Sequence, residues 1–132
     1  MRVLIVDDDP NCRQILDLML ARQGWSLHFA DNGAEGLRQA QTLKPDLILM
    51  DVLMPQMTGM DVVRHLKADP ALAAVPVFAI TALAFDEERR AAYAAGFDLV
   101  ITKPFSRRQL LDAVRQQFPE LEEPPTASRV PA

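Results

Sequence analysis

The stretch Leu47-Ile48-Leu49-Met50-Asp51 runs four apolar side chains straight into a carboxylate. So short a continuous apolar run suits a central parallel strand buried on both faces; a strand with one wet face would alternate. Val3 to Val6, ending in Asp7-Asp8, and Val77 to Ile80, ending in Thr81-Ala82, read the same way. Trp25 to Ala30 and Leu99 to Ile101 are less regular candidates, the second continuing to Lys103-Pro104. Helical patterns fill the intervals. Strand alternating with helix predicts an α/β fold with a doubly wound, five-stranded parallel sheet and five helices over its two faces.

The helices carry local start and stop signals. Asp9 can cap the first, Pro10 suits its first position, Ile15, Leu16 and Met19 form a stripe, and Gly24 ends it. The second spans about 33 to 43, with Leu37, Ala40 and Leu43 on one face and Lys44-Pro45 as the stop. A third begins near Thr58 with Val62, Val63 and Leu66 inward. The fourth, about 85 to 95, is alanine-rich, weakly patterned and closed by Gly96. The last starts near Ser106 and spaces Leu110, Leu111, Val114 and Phe118 on one face.

A chain of 132 residues fits one domain, assigned to residues 1–118. Residues 119–132 hold four prolines and three glutamates with little apolar content, and read as a disordered tail or the start of a linker. The apolar start is too short for a signal peptide and no run approaches the roughly 18 apolar residues of a membrane span, so a cytoplasmic location without membrane contact is expected. The net charge of −4 and the scattered Lys and Arg argue against direct nucleic-acid binding. The single Cys12 excludes an internal disulfide and disfavours a thiolate metal site.

In doubly wound sheets, ligands bind beyond the carboxyl ends of the strands. Asp7, Asp8, Asp51, Thr81 and Lys103 all fall there. Asp7, Asp8 and Asp51 brought together would repel, and a cation resolves the conflict. A small set of oxygen ligands suits Mg²⁺, which keeps several waters and also binds phosphate. Lys103 offers a compact charge for a phosphoryl oxygen, and Thr81 a hydroxyl donor. Other residues have plainer readings. Asp9 is taken as a helix cap, Cys12 as a core-facing packing residue, and His28 and His65 as structural or solvent-facing. The methionines are assigned to core filling, with Met54 and Met57 flanking the site loop in positions open to exposure.

The segments LIVDDDP (4–10), LILMDVLMPQMTGMD (47–61), FAITALA (78–84) and ITKPF (101–105) stand in the order seen in receiver domains of two-component response regulators. The chain resembles that family, the CheY-like receivers, over residues 2 to 118. The resemblance implies a flavodoxin-like strand order 2-1-3-4-5 and makes Asp51 the phosphorylated residue. It makes Asp8 a direct metal ligand, Asp7 a ligand through water and Leu53 a backbone-carbonyl ligand. Thr81 would follow the phosphoryl group, Ala82 leave room for access, and Lys103 bind phosphate with a cis bond to Pro104. The implied partners are a sensor histidine kinase or histidine phosphotransfer protein and a downstream target protein. The chain would be a phospho-acceptor that catalyses its own phosphorylation and slow dephosphorylation, and not an enzyme acting on other substrates.

Two departures from the family pattern carry expectations. Val100 stands where many members have an aromatic residue three positions before the lysine, which predicts a changed or weaker output switch. Leu53 and Leu83 flank the path of attacking water and predict a long-lived phosphoform. Three other readings stand beside this one: a fragment of a longer regulator or hybrid kinase, a small haloacid-dehalogenase-like phosphatase, and an interaction module that has lost the chemistry. The phosphatase motif fails at Asn11, and the intact acids, threonine and lysine oppose the third.

Overall fold

Successive side chains of a strand point to opposite faces, and here both faces are apolar. The computed structural model describes residues 1–82 and 85–121. Its elements follow in the order β1 (Arg2–Val6), α1 (Pro10–Leu20), β2 (Ser26–Ala30), α2 (Gly33–Leu43) and β3 (Leu47–Met50), continuing with α3 (Gly59–Ala68), β4 (Val77–Thr81), α4 (Asp86–Ala95), β5 (Leu99–Thr102) and α5 (Arg107–Gln117). The strands are parallel in the order β2-β1-β3-β4-β5. This is the doubly wound architecture and strand order expected.

The central strands split their side chains between two cores. Leu4, Val6, Ile48, Met50, Val77 and Ala79 pack against Ala40 of α2, Val62, Val63 and Leu66 of α3, and Ala92 of α4. Val3, Ile5, Leu47, Leu49, Phe78 and Ile80 pack against Leu16 and Leu20 of α1 and Leu110, Leu111 and Val114 of α5. A one-residue register slip would exchange the two sets, so the pairing Val6↔Met50 is strongly specified.

The edge strands are less buried, which is why β2 and β5 read less clearly in the sequence. Helix side chains reach over both edges: Gln39 Nε2 donates to Phe29 O (2.9 Å), and the Val100 N–H donates to Tyr93 Oη (3.1 Å).

Local signals account for most boundaries. Asp9, Asn32, Thr58 and Ser106 each cap a helix by accepting a backbone N–H, and Gly96 closes α4 at φ +126°. Helix α1 stops at Leu20, four residues before Gly24. Leu20 is its last buried residue, and the exposed Ala21 and Arg22 give the helix no apolar surface to continue over. Met54 is 5% exposed and part of the core, in keeping with the assignment of the methionines to core filling; Met57 is half-buried. Among the described residues no helix is long and apolar enough to cross a membrane.

Candidate functional site

Parallel strands bring their carboxyl ends to one edge, and the β1–β3 register does the rest. Val6 pairs with Met50, so the next residues, Asp7 and Asp51, are neighbours. The backbone fixes both: the Asp7 N–H donates to Ala30 O (3.1 Å) and the Asp51 N–H to Val6 O (3.0 Å). Strand alternation then turns Asp7 inward, at 1% exposure, and leaves Asp8 exposed. Asp51 is 8% exposed, and one oxygen from each of Asp7, Asp8 and Asp51 lies within 4.8 Å of the others.

Each buried carboxylate has one oxygen occupied and one facing the lysine. Asp7 Oδ1 accepts the Asp9 N–H (2.9 Å) and Asp51 Oδ1 accepts the Leu53 N–H (3.1 Å). Lys103 Nζ stands 3.5 Å from Asp51 Oδ2 and 3.7 Å from Asp7 Oδ2. Asp7 Oδ2 and Thr81 Oγ1 are buried without a hydrogen-bond partner. Buried polar atoms are normally satisfied, so two orphans at one edge of the sheet mark a place built for a group from outside.

The charges do not balance. At an effective dielectric of 20, unit charges 4.8 Å apart repel by about 3.5 kcal/mol, with water weakening the share of the exposed Asp8, while each Lys103 contact supplies about 4.5 kcal/mol. Three carboxylates face one ammonium, and burial adds to the strain. Burial pushes the Asp7 carboxyl above its ordinary value of 3.8; the Asp9 N–H opposes this, the Asp51 charge reinforces it, and Lys103 opposes it again. Burial lowers the Lys103 ammonium, yet the Asp51 charge, the Cys12 contact and the Asp7 charge outweigh it, and the net movement is upward. An all-oxygen cluster with an unpartnered buried oxygen and surplus negative charge fits a hard divalent cation such as Mg²⁺.

The remaining sequence-derived positions divide. Ala82 is exposed beside Thr81, Leu53 is 59% exposed at the mouth of the site, and Pro104 follows a cis bond from Lys103. Val100 pairs with Ala79 and packs on the core with Ala92 of α4, two residues back from the Thr81↔Thr102 pair. Leu83 lies outside the described residues.

Three further residues support the site. Gly59 is required by close approach: a Cβ there would lie 2.4 Å from Asp51 O. Arg13 Nη1 donates to Asp7 O (2.7 Å). Cys12 is half-buried at the rim of the site, with Sγ 3.3 Å from Lys103 Nζ, which corrects its assignment as a core residue. The glycine following a capping threonine was a signal for close packing; the Cys12 contact joins residues 91 positions apart and has no local signature.

The response regulator receiver domain model matches residues 3–115. An uncharacterized 14.6 kDa protein of Leptolyngbya boryana is 36% identical over 116 residues, covering 88% of each chain. RpaA of Synechocystis, a DNA-binding dual master transcriptional regulator, is 32% identical over 97% of this chain, but this chain spans only 53% of RpaA. A receiver domain of a sensor histidine kinase from Pseudomonas aeruginosa, solved with a magnesium ion coordinated in its active site cleft, superposes with a TM-score of 0.81. It is 29% identical, and the match covers 87% of this chain and 94% of that one. The acidic cluster, the facing lysine, the strand order and the family match agree, and the phosphatase reading is not favoured. The chain belongs to the response regulator receiver domain family.

Proposed function

We propose that this receiver domain takes a phosphoryl group from a phosphohistidine partner onto Asp51. The observation that carries the reading is the placement of Asp51 Oδ2 3.5 Å from Lys103 Nζ inside the three-aspartate cluster. A carboxylate oxygen of Asp51 attacks phosphorus, the P–N bond to the imidazole breaks, and an aspartyl phosphate forms. The Lys103 ammonium stabilises charge on the transferred oxygens, and Thr81 supplies the hydroxyl, now unpartnered, to one of them. Asp7, Asp8, Asp51 and the Leu53 carbonyl would hold Mg²⁺, which neutralises phosphoryl charge when bound; the Pseudomonas relative's magnesium-bound cleft supports this assignment. Hydrolysis of the acyl phosphate resets the domain, and the exposed Leu53 shields it from water.

The phosphoform biases a pre-existing equilibrium between conformations that differ in partner affinity. Val100 has no ring to follow Thr81, so transmission to the α4–β5–α5 face is weaker than in relatives with an aromatic residue there. The partners are a histidine kinase or phosphotransfer protein and a downstream target protein, and the setting is cytoplasmic. DNA binding is in the name of RpaA and is not carried over to this chain; the tail or linker read from the sequence at residues 119–132 falls, from residue 122 on, outside the described residues. Incubation with Mg²⁺ and acetyl phosphate, followed by intact mass, tests the chemistry. One phosphoryl group is expected on the wild type and none on Asp51→Ala or after chelation; an unmodified wild type overturns the reading.

A further inference from the structure

Lys103 borders open space. Its neighbours Ile15, Leu16, Met19 and Phe105 line, with Cys12 and Lys103 itself, a cavity of about 340 Å³ between α1 and the segment after β5. Side-chain packing therefore leaves room for the long methylene stem to move, and polar contacts must fix the ammonium. Those contacts are Cys12 Sγ at 3.3 Å, Asp51 Oδ2 at 3.5 Å and Asp7 Oδ2 at 3.7 Å, the last being the buried oxygen with no hydrogen-bond partner. Of the three, Cys12 is the nearest, and it also lines the cavity.

Cys12 is itself oriented. Its Sγ lies 3.5 Å from Asp9 Oδ2, while Asp9 Oδ1 accepts the Asn11 N–H (2.9 Å) and caps α1. Burial raises the thiol above its ordinary value, so it keeps its proton and can donate to Asp9 while its lone pair accepts from Lys103. The helix cap thus reaches the ammonium through one sulfur.

We infer that Cys12 is a positioning residue for Lys103: the Asp9–Cys12 pair holds the ammonium beside Asp51, aligned for the incoming phosphoryl oxygens, and stops it swinging into the α1 cavity. The role rests on the proposed acceptor chemistry, since it is the transfer step that needs the lysine in place. Serine keeps both the donor and the acceptor at this position, and alanine removes both.

The test compares wild type, Cys12→Ala and Cys12→Ser in two measurements. In time courses of phosphorylation by acetyl phosphate with Mg²⁺, Cys12→Ala should lower the maximal rate about tenfold and Cys12→Ser should restore it to within about twofold. In NMR spectra of the metal-free proteins labelled at lysine, the paired Hε signals of Lys103 should be distinct in wild type and Cys12→Ser and should merge in Cys12→Ala as the side chain becomes free. An alanine variant that matches wild type in rate overturns the inference, as does a serine variant as slow as the alanine one. Should the wild type take up no phosphate, the acceptor reading falls by itself, and the lysine spectra alone decide whether Cys12 fixes Lys103.

Discussion

Replacing Asp7 by Asn should stabilise the metal-free protein, although it damages the site. Asp7 Oδ2 is buried without a partner, a condition that costs about 1–3 kcal/mol for a neutral group and more for a charged one. Asp51, with an oxygen within 4.8 Å, adds about 3.5 kcal/mol of repulsion and the water-screened Asp8 less, against about 4.5 kcal/mol of attraction from Lys103. Asp7→Asn keeps the Oδ1 acceptor for the Asp9 N–H and removes the charge. The new amide N–H₂ must find partners, which leaves a net gain of about 1–2 kcal/mol, or roughly 4–8 °C in Tm for a domain of this size.

The sign of the pH dependence follows from the raised Asp7 pKa. The folded metal-free protein holds this proton more tightly than the unfolded chain. Stability linked to Asp7 is therefore fully present below the unfolded value near 3.8 and is lost as pH rises through the higher folded value. The advantage of Asp7→Asn should thus be small near that acid limit and full at neutral pH. Thermal melts across this range in the presence of a chelator measure it. Added Mg²⁺ should reverse the order by stabilising the wild type more than the variant. A variant no more stable than wild type at neutral pH without metal would refute the electrostatic account of the cluster.

Other substitutions read separate parts of the structure. Gly59→Ala places a Cβ against the Asp51 carbonyl and should cost about 1–3 kcal/mol in urea unfolding, with slower phosphorylation because the acceptor's own backbone moves. Thr58→Ala removes the reciprocal cap with Asp61 at the start of α3 and should cost about 1 kcal/mol by the same assay. Leu53→Asn, alone and with Leu83→Asn, should shorten the phosphoform lifetime measured by loss of added mass. An unchanged lifetime would dismiss the shielding role of these leucines.

The fold was legible because β1, β3 and β4 are buried on both faces and their apolar runs are unbroken. The edge strands and α4 blurred for the complementary reason: β2 and β5 are half-covered, and α4 buries little beyond Ala92. The candidate site was legible because its members end strands or closely follow them, and topology alone gathers those ends at one edge. What escaped reading depends on three-dimensional packing. The same Asp-Asp pair holds one buried and one exposed carboxylate, and Cys12 meets Lys103 across 91 positions of chain. Gly24 is a strong stop signal in the sequence, whereas α1 ends at Leu20, where its buried surface runs out.

The central claim is that Asp51 itself carries the phosphate. After incubation with Mg²⁺ and acetyl phosphate, borohydride reduces an aspartyl phosphate to homoserine, and peptide mass spectrometry locates the reduced residue. The account predicts homoserine at position 51 and at no other. Reduction at position 7 or 8, or phosphate retained on His28 or His65, would contradict it.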